Sequence, residues 1–424
     1  MSIFDKRMSY SMGFITRKIK ILRASSHQNG LRSAVQLFFS RILDNTLNAL
    51  YYHCLPVHNN RLLFFSHPDY SDNARALYDY MVSKNLDKTY DLIWAVADSK
   101  NLKQLRKTGI KCVKQNAIFP SGGMHRLWYY GKTAKYIFHT HSHPFGLERK
   151  EGQKVVGLWH GGMGFKGPMS CLNECTDDYI LTSGSGDVSL SYVSTFQNCP
   201  YDILLPFGNP RNDLLFKEKY IEQFDSLDGT KILWMPTFRE SNDKSFSSPT
   251  IHSETDLPIV YTKDDVLHLN DFLKTVNVHL FVTNHPLRKK GTQITLDTSN
   301  IHTLNTRALE DSGIQLYEIF NHFSALISDY SSVTFDYLYL DRPIAYTLDD
   351  FEEYKISRGF AMENPLDYMP GHHIYTYNDL TEFISDVVNG NDGFKEERER
   401  VRKLVGLAEG GKASEMLLDF LGIK

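Results

Sequence analysis

The sequence lacks a run of apolar residues approaching the roughly 18–20 that a membrane span requires, so no spanning helix is expected. Its first residues lack the apolar core of a signal peptide. Cysteine is scarce, odd in number and scattered: Cys54, Cys112, Cys171, Cys175 and Cys199. That pattern excludes a disulfide framework and points to a reducing compartment. Cys171 and Cys175 lie four apart, yet no second pair with zinc-like spacing accompanies them, so free thiols are expected. A net charge of -3 gives no global pull toward nucleic acid, and no nucleic-acid partner is expected. No acidic cluster has metal-ligand spacing, so neither a metal nor a cofactor is expected. Internal repeats and low-complexity linkers are missing too.

What is present fits a globular α/β protein. At about 100–200 residues per domain, 424 residues favour two or three domains, each able to bury a core. Hydrophobic residues at 42% and charged residues at 23% are ordinary for such a chain. The start is unusual. Lys6, Arg7, Arg17, Lys18, Lys20, Arg23 and Arg32 stand against one acid, Asp5, with Phe4, Met8, Met12, Phe14, Ile15, Ile19, Ile21 and Leu22 interleaved. This suits either a helix lying on an anionic membrane surface or a solvated basic tail.

Residues 31–57 carry apolar positions at helical spacing. From RLLFFS (61–66) onward, short apolar strands alternate with helical stretches: NARALYDYMVSK (73–84), YDLIWAVAD (90–98), NLKQLRKTG, IKCVKQN, HRLWYYGKTA, KYIFHTH (135–141), QKVVGLWH (153–160) and DYILTSG (178–184). A second such series follows LLPFGNPRNDLLF (204–216), with strands expected in KILWMPTFR (231–239), VHLFVTNHP, SALISDYSS (324–332) and RPIAYTL (342–348). The polar stretch 240–265 reads as a long loop, and the tail as one or two helices. Alternation of this kind implies βαβ units and parallel sheets. Two tandem halves imply a cleft, with functional groups at the carboxyl ends of strands.

Five strand ends carry chemistry. LWHGGMGFKG (158–167) sends His160 out of a strand into a glycine-rich loop with Lys166. Such a histidine can serve as a general base, and glycine lets backbone N–H groups approach a ligand; a plain turn histidine is the alternative. GNPRND (208–213) sets Arg211 in a turn, either for bidentate phosphate recognition or for a salt bridge. MPTFR (235–239) delivers Arg239, and VTNHP (282–286) delivers His285. ISDYSSVTFDY (327–337) places Asp329, Ser331, Ser332 and Asp336 where a strand hands over to a helix. The serines suit helix capping, and the helix start suits phosphate. Beyond them, SRGF (357–360) holds Arg358. In FHTHSHP (138–144), His139, His141 and His143 alternate, as cleft lining, as surface histidines or as metal ligands.

In this order, WHGGMGFKG, GNPRND, MPTFR, NHP, SDYSSVTFDYLYLDRPIAY, DDFEEY and SRGF resemble the CDP-glycerol glycerophosphotransferase family over roughly residues 60 to 390. These are bacterial teichoic acid primases and polymerases, with relatives in capsule synthesis. The resemblance implies a GT-B fold: two Rossmann-like domains facing a central cleft, preceded by an N-terminal helical segment. Residues 1–58 would contact the membrane, 59–205 would form the acceptor domain and 206–424 the CDP-donor domain. It implies transfer of glycerol phosphate, or a similar polyol phosphate, from a CDP-activated donor to a hydroxyl of a lipid-linked saccharide or polymer, with release of CMP. The enzyme would be peripheral on the cytoplasmic face of the cell membrane. His160 matches the family's catalytic histidine, with Gly162 in place of a threonine and Met163 in place of a proline; His285 matches a second catalytic histidine. Arg211, Arg239, Asp329, Ser331, Ser332, Asp336 and Arg358 are expected on the CDP donor. Gly161, Gly162, Lys166 and His141 are expected on the acceptor side. The alternatives are a nucleotide-sugar glycosyltransferase of the same fold and a non-catalytic membrane-associated binding protein.

Overall fold

The computed structural model describes residues 46–47, 49–115, 124–141, 149–167, 175–237, 254–255, 257–283 and 298–424. The basic stretch before residue 46, His143, Arg239 and His285 lie outside these residues. Residues 46–47 and 49–54 are helical. The described chain forms two compact units. One gathers residues up to Tyr70 and Met81–Val156; the other gathers Ser71–Tyr80 and Gly157–Lys424.

In the first unit, β1 (His58–Phe65), β2 (Asp91–Val96), β3 (Cys112–Lys114), β4 (Ala134–His139) and β5 (Lys154–Gly157) lie in the order β3-β2-β1-β4-β5. The pairings of β1 with β2 and β4 are parallel, with Leu63 opposite Ile93 and Ile137. A parallel strand is covered on both faces, so continuous runs such as LLFF are what such a sheet requires. Helix α1 (Asp72–Ser83) lies mostly in the second unit, whereas α2 (Ser99–Lys107) and α3 (Met124–Thr133) belong to the first. The core joins Leu63, Phe65, Ile93, Ile137 and Val155 to Leu127 and Trp128 of α3.

The second unit opens with the parallel pair β6 (Tyr179–Leu181) and β7 (Leu204–Leu205), flanking α4 (Asp187–Gln197). Its main sheet holds β8 (Thr230–Trp234), β9 (Val278–Thr283), β10 (Ile301–Leu304), β11 (Ala325–Ser328), β12 (Ile344–Thr347) and β13 (His372–Ile374). The order is β10-β9-β8-β11-β12-β13, and every pairing is parallel. This is the doubly wound arrangement of dinucleotide-binding folds. Helices follow: α5 (Lys263–Thr275), α6 (Thr306–Asp311), α7 (Val333–Tyr337), α8 (Phe351–Ser357), α9 (Tyr377–Asn389), α10 (Lys395–Val405) and α11 (Ala413–Leu421).

Strand residues alternate between two cores, because successive side chains point to opposite faces. Ile232, Trp234, Leu280, Val282, Ala325 and Ile327 meet α5 and α9 on one face. Both helices begin with reciprocal caps, Thr262 with Asp265 and Thr376 with Asp379. Leu233, Phe281, Leu326, Ile344 and Tyr346 face the other way, onto Met163, Phe165, Leu214, Leu215, Phe320, Phe335 and Val401. Of the motif residues, Met163, Phe165, Leu214, Tyr330, Phe335 and Phe360 fall on this second face.

The chain expected as an acceptor domain to residue 205 divides earlier. Described residues between 175 and 205 pack on C-terminal helices: the Gly186 N–H donates to the Val405 carbonyl at 3.0 Å, and Ser189 Oγ reaches the same oxygen at 2.8 Å. Phe165 packs on Phe335 with centroids 4.9 Å apart.

Candidate active site

β5 ends at Gly157, two residues before the expected end at Trp159. The reason is local. Trp159 adopts a left-handed φ of 57°, which breaks the strand and turns the chain into the loop. A bulky residue there costs of order 1–3 kcal/mol, so neighbouring contacts must hold it. They are present. Asn73, fully buried in α1, donates Nδ2 hydrogens to the Leu158 carbonyl at 3.0 Å and the Trp159 carbonyl at 2.9 Å. Arg211 Nη1 donates to the His160 carbonyl at 2.7 Å. The rings of Trp159 and His160 lie 4.1 Å apart.

The glycines after His160 are sterically required to different degrees. Gly162 has φ 49°, and a Cβ there would meet Ser183 Cβ at 2.8 Å and Asn209 Nδ2 at 2.9 Å. Glycine in place of the threonine expected from the resemblance therefore has a physical cause in this chain. A Cβ on Gly161 would stand 3.5 Å from Ser332 Oγ, an ordinary contact. The His160 loop and the serine-headed helix α7 are thus immediate neighbours within one unit.

The PRND turn is a short 3-10 helix, Pro210–Phe216, each of whose polar residues pins another element. Arg211 bonds the His160 carbonyl, Asp72 Oδ1 at 2.8 Å and Asp336 Oδ2 at 2.7 Å, and lies over the Tyr317 ring at 4.7 Å. Asn212 Nδ2 donates to Asp336 Oδ1 at 2.9 Å. Asp213 accepts the first N–H groups of α11, from Ala413 and Ser414, both at 2.9 Å. Burial alone would lower the Arg211 pKa, but Asp72 above all, then Tyr317 and Asp336, raise it well above its ordinary value.

Three residues expected on the donor are therefore framework. Arg211 is buried, and its charge is neutralised by two carboxylates. Asp336 is buried and already accepts from Arg211, Asn212 and Tyr317 Oη. Asp329 is fully buried and accepts from the Thr237 N–H at 2.8 Å and from the Thr237 hydroxyl. It fastens the end of β8 to the end of β11. A group saturated in this way has little left for a ligand.

The serines differ. Ser332 stands at the N-cap of α7 with helical angles, φ -62° and ψ -17°, and makes no capping bond. Ser331 Oγ receives only a long 3.5 Å contact from the Val333 N–H. Capping does not account for Ser332; its hydroxyl faces Gly161 instead. Between them and Asp329, Tyr330 is fully buried, donates to Asp350 at 2.9 Å and packs on Tyr354 at 4.0 Å.

That packing aims α8, whose C-cap is Arg358. The Gly167 N–H bonds the Gly359 carbonyl at 3.1 Å, and the Ala361 N–H bonds the Phe165 carbonyl at 2.9 Å. Lys166 and Phe360 form the antiparallel bridge between them. Arg358 is half-buried and has no carboxylate partner among the described residues, in contrast to Arg211. His141 belongs to the first unit, just beyond β4, its ring 5.6 Å from that of His67. Among the described residues, no group of three or more His, Cys, Asp or Glu is arranged to hold a metal ion, and no helix is long and apolar enough to cross a membrane.

Residues 47–422 match the family described as CDP-Glycerol:Poly(glycerophosphate) glycerophosphotransferase. The chain belongs to that family. Among curated relatives, the teichoic acid ribitol-phosphate polymerase TarL of Staphylococcus aureus is 25% identical over 397 residues, 88% of this chain and 64% of that protein. The teichoic acid glycerol-phosphate primase of Bacillus subtilis is 28% identical over 262 residues, 57% of this chain and 62% of that protein. The chain thus spans less than two thirds of the length of these relatives. Among solved structures, the wall teichoic acid polymerase TagF superposes with a TM-score of 0.69 at 20% identity, over 92% of this chain and 96% of that one. This likeness is one of fold, and the fold of this glycerophosphotransferase family member is α/β of GT-B type.

Proposed function

We propose that the protein transfers glycerol phosphate, or a similar polyol phosphate, from a CDP-activated donor to a hydroxyl of a lipid-linked or polymer acceptor in teichoic acid or capsule-type synthesis. The observation that carries this reading is the approach of Ser332 Oγ to the loop that begins at His160, with Arg358 joined to the far end of that loop. A base, a helix start and a cation are what such a transfer needs, and among the described residues Arg358 has no carboxylate partner. Ser331, Ser332 and Arg358 hold the diphosphate, with Arg239 and His285 as further donor-side groups. Gly161, Gly162 and Lys166 serve the acceptor side. His160 takes the acceptor proton; the acceptor oxygen attacks the β-phosphorus; the bond to CMP breaks, and CMP leaves with the electron pair. The product is a phosphodiester. Family membership and the TagF likeness support the donor class, since TagF has also been solved as a histidine variant with CDPG.

The segment 1–32 supports a peripheral site of action on an anionic membrane surface, with lipid-linked acceptors within reach. The test is incubation with a panel of CDP-polyols and a lipid-linked saccharide, with mass detection of CMP and product. CMP release is expected. Release of a nucleoside diphosphate from a nucleotide sugar would instead assign glycosyl transfer.

A further inference from the structure

Tyr192 lies on α4, outside every motif that the sequence analysis singles out. Its hydroxyl stands 2.9 Å from the point where a Cβ on Gly164 would lie, and Ser332 Cβ stands 3.5 Å from the same point. The phenol and the serine thus flank one glycine from two sides, and only the missing side chain lets them converge. Tyr192 also lies within electrostatic range of Arg358. The ring is held by Phe196 at 5.5 Å, which in turn packs on Trp159 at 5.5 Å. One aromatic row therefore ties this hydroxyl to the residue preceding His160.

We propose that Tyr192 binds the donor: its hydroxyl donates a hydrogen bond to a phosphate oxygen of the nucleoside diphosphate, completing a pocket with Arg358 and Ser332. The inference rests on the donor class proposed above. The phenol and an alcohol that makes no cap flank Gly164, and Arg358, a cation without a carboxylate partner among the described residues, is within electrostatic range of the phenol. An anion with several oxygens satisfies all three. Burial pushes the Tyr192 phenol far above its ordinary pKa, against a smaller opposing pull from Arg358, so the group remains a donor at neutral pH.

The test compares the full chain with Tyr192→Phe, which keeps the ring packing and removes only the hydroxyl. Calorimetric titration with CDP, cytidine titration by ligand-observed NMR and thermal melting are the three readouts. The expected result is a CDP Kd raised about tenfold, an unchanged cytidine Kd and a Tm within about 2 °C of the parent. Equal CDP affinity in the two proteins would overturn the role of Tyr192, as would equal losses for CDP and cytidine. A parent chain that binds cytidine and CDP equally would overturn the diphosphate pocket, and one that binds neither would overturn the donor class itself.

Discussion

Arg211 and His160 are joined through the backbone: the guanidinium of one donates to the carbonyl of the other at 2.7 Å. The same guanidinium holds Asp72 at the start of α1 and Asp336 within α7. The loop of the proposed base therefore rests on an ion network rooted in the helix that Ser332 heads. Replacing Arg211 by alanine leaves two carboxylates without their cation, and Asp336 is buried. Removing one partner of a buried pair costs about 3–5 kcal/mol. Arg211→Ala is expected to lower the denaturant midpoint accordingly. Arg211→Lys keeps the charge but loses the planar fork, so turnover is expected to fall more than stability. Equilibrium unfolding and CMP release, measured on both variants, separate the two effects.

The adjacent glycines of the His160 loop make a paired prediction. Gly162→Ala forces a Cβ to within 2.8 Å of Ser183 in a left-handed backbone, so the loop must shift and the Tm is expected to fall. Gly161→Ala meets nothing closer than 3.5 Å, and what it meets is Ser332 Oγ. This variant is expected to melt like the parent and to bind CDP several-fold more weakly. Melting and CDP titration on the two alanine variants check the contrast.

Reading the sequence reached the sheets because parallel strands are nearly continuous apolar runs, and LLFF, LIWAV and SALIS stand out between polar helices. It missed β10 and β13, three or four residues each and interrupted by histidines, His302 and His372. For the site, it found the strand ends but not the direction of their side chains. Arg211 reads equally as a phosphate ligand or as an ion-pair partner until Asp72 and Asp336 are seen on either side of it. Asn73, which pins the carbonyls around Trp159, sits in an unremarkable helix start; the only signal is an amide at a position that the apolar period assigns to the core. Tyr192 gives no signal, because its function depends on the absence of a side chain at Gly164.

His279 and His302, facing each other on β9 and β10, share a hydrogen bond of 2.9 Å between ring nitrogens. One ring must therefore accept, which only a neutral imidazole can do. Burial chiefly, then Lys231 on β8, lower the His279 pKa, with the Asp228 backbone opposing. The folded pKa lies below the unfolded value, so the contribution to stability is full above about pH 6.5 and is lost as pH falls through the depressed folded value. The Tm is expected to decline as pH falls below about 6.5, and His279→Gln, which can still bond His302, is expected to flatten that decline. A melting series across this range reads the slope directly.

The last prediction concerns His160 itself. If its imidazole takes the acceptor proton, His160→Ala removes a general base, an effect of about 10²–10⁴-fold on turnover. The donor groups belong to other elements: Ser331 and Ser332 head α7, and Arg358 ends α8. The hydrogen bond that fixes the loop comes from Arg211 to the His160 carbonyl, which alanine retains. CDP affinity is therefore expected to stay within about twofold of the parent while CMP release collapses. A loss of CDP binding in step with turnover would move His160 from the acceptor side to the diphosphate, and a variant with near-parental turnover would remove it from the chemistry altogether.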